Sequence, residues 1–323
     1  MRSLRLTAPG KLVLDPHTSL PIQPGFHLWK VRHVGICKTD YQLFHHPRSV
    51  NITLGHEVVV EHEEQTLVLN NEIACGLYSY CQEGMPRHCV HLHELGVNAD
   101  GGYADYIAAP RSHLYPVQVA DSGSAVLVEP LACAIHCAER ISCALALLPP
   151  DVAHFRVLII GAGTSGRLVS YALNQLQLDL QMRLFDISSQ ASEASQTSYL
   201  RSTAEPDPES AHLVVECSGS RQGLALAISA ARRGGVVVLY GMPEANATLP
   251  CPTLELFAKE LTLRPSMAGC DDETMSQAIN YLQQDEAFFS QMIGKRVNLE
   301  QAMAEIAGGL PHPGTRTLVT LPQ

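Results

Sequence analysis

Four consecutive aliphatic residues, Val157 to Ile160, run into Gly161-Ala162-Gly163-Thr164-Ser165-Gly166, and a periodic apolar stretch, Leu168 to Leu176, follows. This order constrains the fold more than any other feature. A short continuous apolar run reads as a strand buried on both faces, and apolar spacing of three and four reads as a helix. The glycines have separate uses. The first permits a tight turn, the second lets backbone approach a pyrophosphate, and the third lets helix and sheet pack closely. The helix N-terminus adds free N–H donors and positive partial charge. G-x-G-x-x-G alone is a weak signal, but an acid closing the next strand strengthens it. Gln181–Phe185 reads as that strand and Asp186 ends it, twenty residues past Gly166. A carboxylate there accepts bonds from ribose hydroxyls and repels a 2′-phosphate, which favours NAD over NADP. The expected cofactor contacts are Gly161, Gly163, Thr164, Ser165, Gly166 and Asp186. Ser188 and Ser189 offer hydroxyls to a phosphate, so NADP stays open.

His212–Glu216 and Gly235–Tyr240 read as further strands, with a helix Ala225–Ala231 between them. Strands alternating with helices imply an α/β chain with a doubly wound parallel sheet. Residues 187–211 break the rhythm: serines and threonines crowd them, and Glu205-Pro206-Asp207-Pro208-Glu209 follows. The stretch is too short and polar for a helix, a full strand and a second helix, so a trimmed or partly mobile connection is expected. Residues 1–118 differ in texture, with β-branched residues, Gly, Pro and His around short apolar runs such as Val58–Val60 and Leu67–Leu69. That pattern predicts an irregular all-β region. A helix is expected over Ser124–Cys143. Beyond residue 270, helices are expected over Asp272–Gln284 and Leu299–Ala307, and a last strand over Thr317–Leu321.

Composition narrows the partners. Charged residues are 17% and hydrophobic ones 46% of 323 residues, which excludes a disordered chain. Acidic residues outnumber basic ones, 32 to 22, opposite to the balance a general nucleic-acid binder needs. No apolar run nears the ~18 residues of a membrane span, and none near Met1 has signal-peptide length. A soluble, cytoplasmic protein without nucleic-acid or membrane partners is expected. There, the ten cysteines read as metal ligands, nucleophiles or buried thiols rather than disulfides.

Cys37 lies in Gly35-Ile36-Cys37-Lys38-Thr39-Asp40, and His56 in Gly55-His56-Glu57. Each can bind zinc, and each follows a glycine that lets the backbone turn. The nineteen residues between them carry no diagnostic spacing. Singly, they read equally as a buried thiol and a hydrogen-bonded imidazole.

The ordered set decides between these readings. Gly-Ile-Cys-x-Thr-Asp, Gly-His-Glu, Gly101-Gly102-Tyr103-Ala104-Asp105-Tyr106, Val128-Glu129-Pro130-Leu131 and the glycine turn follow one another. Gly234-Gly235, Gly241 and Phe257-Ala258-Lys259-Glu260-Leu261-Thr262 extend the series. The chain resembles, over nearly its whole length, the zinc-dependent medium-chain alcohol/polyol dehydrogenases. The resemblance implies a GroES-like β-rich catalytic domain from residues 1–123 and 268–323, with a Rossmann NAD-binding domain, 124–267, inserted between. It implies one catalytic zinc on Cys37, His56 and Glu129, the Glu-Pro-Leu carboxylate of the sorbitol and glucose branch. Glu57 matches an alternate ligand that swings onto the metal, and Thr39 the relay hydroxyl. Asp40 would orient a ligand. Lys38 is placed near the cofactor phosphates or in solvent, and His45 and His46 at the cleft mouth or in solvent. Cys133 and Cys137, one and two turns beyond Glu129, are rival ligands or buried thiols. The implied substrate is a secondary alcohol, polyol or sugar, and the implied assembly a homodimer or homotetramer, with Val236–Tyr240 a candidate for extending the sheet between subunits.

Two departures stand out. The family's structural-zinc lobe has four cysteines; Cys75, Cys81 and Cys89 fall on the first, third and fourth, and Tyr78 on the second. The lobe then folds without metal, or His88, His91 or His93 completes the shell, or three thiolates hold zinc weakly; an empty lobe is favoured. After Gly-His-Glu, Val58-Val59-Val60-Glu61-His62-Glu63-Glu64-Gln65 lacks the usual glycine-rich turn, so the loop looks pruned. Two other readings compete with the dehydrogenase. One is a zinc-free quinone or enoyl reductase on the same fold. The other is a non-catalytic dinucleotide-binding redox sensor.

Overall fold

Phe26–Ile36 is the strand around which the first of two units is built. In the computed structural model, which describes residues 1–145, 154–244, 246–309 and 314–322, the units are Met1–Ala132 with Cys270–Gln323, and Cys133–Gly269. Phe26–Ile36 pairs antiparallel with Glu57–His62 on one side and with Arg316–Thr320 on the other. Its first half also pairs with Tyr106–Pro110. The chain's last strand thus completes a sheet begun near its start. Leu4, Val34, Leu54, Val60, Leu67, Ile107, Leu299 and Val319 fill one buried apolar cluster beneath it.

The pruned loop is a minimal hairpin. Val58–Val60 and Leu67–Leu69 lie in the strands Glu57–His62 and Gln65–Leu69, which pair down to His62 opposite Gln65. Only Glu63 and Glu64 connect them, with φ of 47° and 64°. A type I′ two-residue hairpin, which matches the strand twist, needs two left-handed residues, and Asn-Gly supplies them with least strain. Here two glutamates do so.

The second unit holds six parallel strands. Their spatial order is Leu200–Ser202, Leu180–Phe185, Phe155–Ile160, Ala211–Glu216, Ala231–Leu239 and Thr262–Pro265. Numbered along the chain this is 3-2-1-4-5-6, the doubly wound nucleotide-binding order. Val157–Ile160, Leu213–Val215 and Val236–Val238 are buried throughout, which explains why these strands are continuous apolar runs. The glycine turn follows the first strand, at the point where strand order reverses. The Phe257–Thr262 run has a structural use: Lys259 Nζ donates to the carbonyls of Ile228 and Ser229, at 3.1 Å each, where the helix Arg221–Ala230 ends.

Several sequence expectations need correction. The helix expected from Ser124 begins as a 3-10 segment, Ser122–Leu127, and turns α-helical over Val128–Leu145. Asp121 caps the segment by accepting from Gly123 N at 2.9 Å, and Pro130 sits in the first α-turn, where its missing N–H costs nothing. Between Asp186 and Ala211 the connection is trimmed, as the sequence predicts: it holds a six-residue helix, Ser189–Ala194, and a three-residue strand, Leu200–Ser202, with no second helix before Ala211. The helix Arg221–Ala230 stops before Ala231, which already belongs to the next strand. That strand pairs on both sides, so Val236–Tyr240 is not a sheet edge; Thr262–Pro265 is. Among the described residues no helix is long and apolar enough to cross a membrane.

Replacing Glu63-Glu64 by Asn-Gly relieves the left-handed strain, so E63N/E64G is expected to raise unfolding stability by about 1 kcal/mol, read as a higher urea midpoint.

Candidate active site

Three strands and one helix of the first unit bring Cys37, His56 and Glu57 together, without Glu129. Cys37 leaves the strand Phe26–Ile36 and caps the helix Lys38–His45. Asp40, fully buried, accepts from Cys37 N at 2.8 Å, which fixes the start of that helix. The hydroxyl of Tyr103 reaches Asp40 Oδ2 at 2.9 Å and the Gly35 carbonyl at 3.2 Å. Asp40 Oδ1 lies 3.6 Å from His56 Nδ1, so the acid orients the imidazole as well as the turn. Gly35 stands opposite Glu57 in the register, and a Cβ there would fall 2.1 Å from Glu57 Oε2. The glycine of Gly-Ile-Cys is therefore the space the carboxylate occupies.

The donor atoms of Cys37, His56 and Glu57 all lie within 4.8 Å of one another. From the final strand, Arg316 Nη2 pairs with Glu57 Oε1 at 2.7 Å, and Nη1 donates to the Ile36 carbonyl at 3.2 Å. Burial pushes the Cys37 thiol up, but Arg316 and His56 overcome it and bring it down to about 6. Burial raises Glu57 to about 8, against the pull of Arg316 and with the push of Cys37. Burial disfavours a charged His56, yet Asp40 and Cys37 raise it well above its ordinary value. The thiol of Cys37 is thus held towards its anion by Arg316 and His56, and the imidazole of His56 towards its cation by Asp40 and Cys37, while burial keeps the Glu57 carboxyl up. His56 Nδ1, Asp40 Oδ1 and Glu57 Oε2 are buried without hydrogen-bond partners. Sulfur, nitrogen and carboxylate donors gathered this closely, with a carboxylate oxygen left unsatisfied, fit zinc.

The remaining residues fall around this group. Thr39 is half-buried, its hydroxyl 3.6 Å from Cys37 Sγ, and Lys38 is half-buried one residue before it. Glu129, in the first turn of Val128–Leu145, lies outside the close group of three. Its Oε1 is 3.8 Å from Cys270 Sγ, and it helps raise Arg316, after Glu57, Cys37 and Asp40. Arg316 is thus shared by the acidic groups of the site. Cys137 is fully buried, its thiol pushed up to about 12 by burial, as expected of a packed thiol. His45 is exposed and packs edge-on against Tyr41 and Phe44; His46 is exposed beside it.

Sequence reasoning missed Arg316, Cys270 and the part Tyr103 plays. Arg316 had one signal: it is the lone charge in an apolar last strand, Arg316–Thr320. Cys270 had none.

In the cysteine lobe, Cys89 Sγ lies 3.3 Å and Cys81 Sγ 4.0 Å from Cys75 Sγ. Hydrogen bonds from Leu77 N–H, Cys89 and Tyr78 N–H bring Cys75 down to about 7. Among the described residues the group has three thiols and no histidine. Tyr78 instead packs its ring near Tyr80 and His91. These residues do not fit a closed four-donor zinc site.

In the second unit, Gly161 has φ +106°, which a side chain would resist. A Cβ on Gly166 would fall 1.9 Å from the Gly161 carbonyl oxygen, whereas one on Gly163 would meet nothing within 4 Å. The third glycine is thus required for packing, and the second leaves open space at the start of the helix Thr164–Gln175, where Thr164 and Ser165 form the first turn. Asp186 accepts from Ala162 N at 2.7 Å and Ser188 N at 2.8 Å, so it also pins the turn. Glu216, ending the neighbouring strand, accepts from Ser218 N at 2.7 Å and Gly219 N at 3.0 Å. An open cradle of backbone N–H groups beside a carboxylate fits a dinucleotide.

Comparison with known families agrees. An alcohol dehydrogenase GroES-like domain profile matches residues 23–120, and a zinc-binding dehydrogenase profile matches residues 165–284. The chain belongs to the zinc-dependent medium-chain dehydrogenases. Within this family it is similar to the D-altritol 5-dehydrogenase of Agrobacterium fabrum, 23% identical over 94% of each chain. It is 26% identical to the L-galactonate-5-dehydrogenase of Escherichia coli over 74% of this chain and 75% of that one. Among solved dehydrogenase structures, L-idonate 5-dehydrogenase from Escherichia coli superposes with a TM-score of 0.82 at 21% identity, covering 99% of this chain and 98% of that one. Haloferax mediterranei glucose dehydrogenase, in complex with NADP, Zn and gluconolactone, gives 0.80 at 16% identity over the whole of both chains. These two likenesses establish the dehydrogenase fold.

Removing Arg316 would leave Glu57 buried without its cation. Arg316→Leu is therefore expected to cost about 3–5 kcal/mol of stability by urea unfolding, and Arg316→Lys clearly less.

Proposed function

We propose that the protein catalyses NAD-dependent, zinc-dependent oxidation of a secondary alcohol group on a polyol or sugar, and the reverse reduction. The observation that carries this reading is the close meeting of Cys37, His56 and Glu57, with Glu57 Oε2 buried and unsatisfied and Arg316 holding the other carboxylate oxygen. Cys37, His56 and Glu129 are the inferred metal ligands. Glu57 is the alternate ligand, restrained by Arg316, and Glu129 acts on the same guanidinium. Zinc held there supplies Lewis acidity that favours the alkoxide form of a bound alcohol. Nicotinamide supplies the hydride acceptor.

The chain's own groups do the rest. Asp40 and Tyr103 hold the Cys37 turn and the imidazole of His56 in place. Thr39 carries the alcohol proton away from the site through its hydroxyl. Gly161, Gly163, Thr164, Ser165 and Gly166 receive the pyrophosphate, with Lys38 as a further cation for it. Asp186 receives the ribose hydroxyls, and its negative charge is the ground for NAD over NADP. A zinc-free reductase has no use for Cys37, His56 and Glu129, and a sensor has none for the thiolate-favouring surroundings of Cys37. The polyol and sugar-acid relatives support the substrate class. A homodimer or homotetramer in the cytoplasm belongs to the same reading, with Thr262–Pro265, an edge of the parallel sheet, available for pairing.

NADH absorbance with a panel of polyols, sugars and simple alcohols tests the reading. Turnover is expected for polyols or sugars. Cys37→Ser and His56→Ala are each expected to lower kcat/KM by about a thousandfold or more, with NAD affinity nearly unchanged. Near-normal oxidation by either variant refutes the site. Asp186→Ala is expected to shrink the NAD-over-NADP preference by roughly tenfold or more, and unchanged selectivity shows that Asp186 does not read the ribose.

A further inference from the structure

The cysteine lobe has lost the composition of a metal knot but has kept its sulfurs close. We propose that Cys75 and Cys89 form a reversible disulfide, so that the lobe is a site of thiol oxidation rather than of structural zinc. Their Sγ atoms are 3.3 Å apart, which is closer than Cys75 and Cys81 at 4.0 Å. A disulfide needs about 2.05 Å, so the sulfurs must approach by little more than 1 Å. Both cysteines lie in irregular backbone. Cys75 follows the two-residue strand Glu72–Ile73, and Cys89 ends the 3-10 turn Pro86–His88. Small adjustments there break no helix or sheet ladder.

Access sets the order of events. Cys75 is partly exposed, whereas Cys89 is 6% exposed. A peroxide therefore reaches Cys75 before Cys89. Its sulfur attacks one peroxide oxygen, the O–O bond breaks, and Cys75 becomes a sulfenic acid while one water leaves. The Cys89 thiol then attacks the Cys75 sulfur. The S–OH bond breaks, the S–S bond forms, and a second water carries off the hydroxyl and the Cys89 proton. Two thiols are oxidised by two electrons, and one peroxide is reduced to two waters. Cys81 stays a thiol. A dithiol reductant reverses the change by exchange.

The full-length holoenzyme is treated with equimolar hydrogen peroxide, alkylated, digested with trypsin and mapped by mass spectrometry. Cys75 and Cys81 share the peptide Ser49–Arg87, and Cys89 lies on His88–Arg111. The expected product is one cross-link between these peptides, lighter by two hydrogens than their sum and lost on reduction with dithiothreitol. Cys81→Ser is expected to keep the cross-link, and Cys89→Ser to abolish it. A link within Ser49–Arg87, or a cross-link lost in Cys81→Ser, overturns the pairing. Sulfinate or sulfonate on Cys75 with Cys89 still alkylated overturns the disulfide. Three thiols that react only after a chelator is added overturn the whole inference, because metal then holds them. If a variant fails to fold, fragmenting the wild-type cross-linked peptide between Cys75 and Cys81 reads which of the two is joined to Cys89 and which is alkylated.

Discussion

The buried pairing of Glu57 with Arg316 holds the first unit's chemistry together. It joins a strand from the first quarter of the chain to the last strand, across Phe26–Ile36. Three features depend on it. Gly35 must lack a side chain, because the carboxylate fills that space. The final strand must be in register, or the guanidinium misses both Glu57 and the Ile36 carbonyl. The Cys37 thiol is held down by the same cation. A buried charge pair is weak evidence of stability in itself, since desolvation offsets much of the attraction. Its value here is positional: it holds an acid beside the Cys37–His56 pair in a defined place.

The second unit solves a different problem with few polar groups. Its central strands are apolar on both faces over Val157–Ile160, Leu213–Val215 and Val236–Val238, so polar chemistry there is confined to the loops after them. Asp186 and Glu216 close adjacent turns there by accepting backbone N–H groups. Carboxylates in these places pin the turns of the cradle. The same acid therefore has a part in shaping the turn and a proposed part in choosing the cofactor.

How much of this was legible depended on the range of the interaction. The glycine turn could be read because each glycine answers a local steric demand, and Gly166 against the Gly161 carbonyl shows how strict one of them is. The strand periods were equally local. Arg316 was hidden because its partner lies 259 positions away, and only sheet register brings the two together. The neighbourhood of Cys270 and Glu129 was hidden for the same reason. The Glu63-Glu64 turn was read as a missing loop, but residue type alone did not reveal that two glutamates would take left-handed geometry. The trimmed connection after Asp186 was legible because its length and polarity leave room for only a six-residue helix, Ser189–Ala194, and a three-residue strand, Leu200–Ser202.

The central claim is that one metal site is complete and the other is not. Zinc content per chain, measured by plasma mass spectrometry on the wild type, Cys37→Ser and Cys75→Ser, tests it directly. The account predicts about one zinc in the wild type, about one in Cys75→Ser and close to none in Cys37→Ser. About two zincs in the wild type, or a single zinc lost from Cys75→Ser and kept by Cys37→Ser, would contradict it.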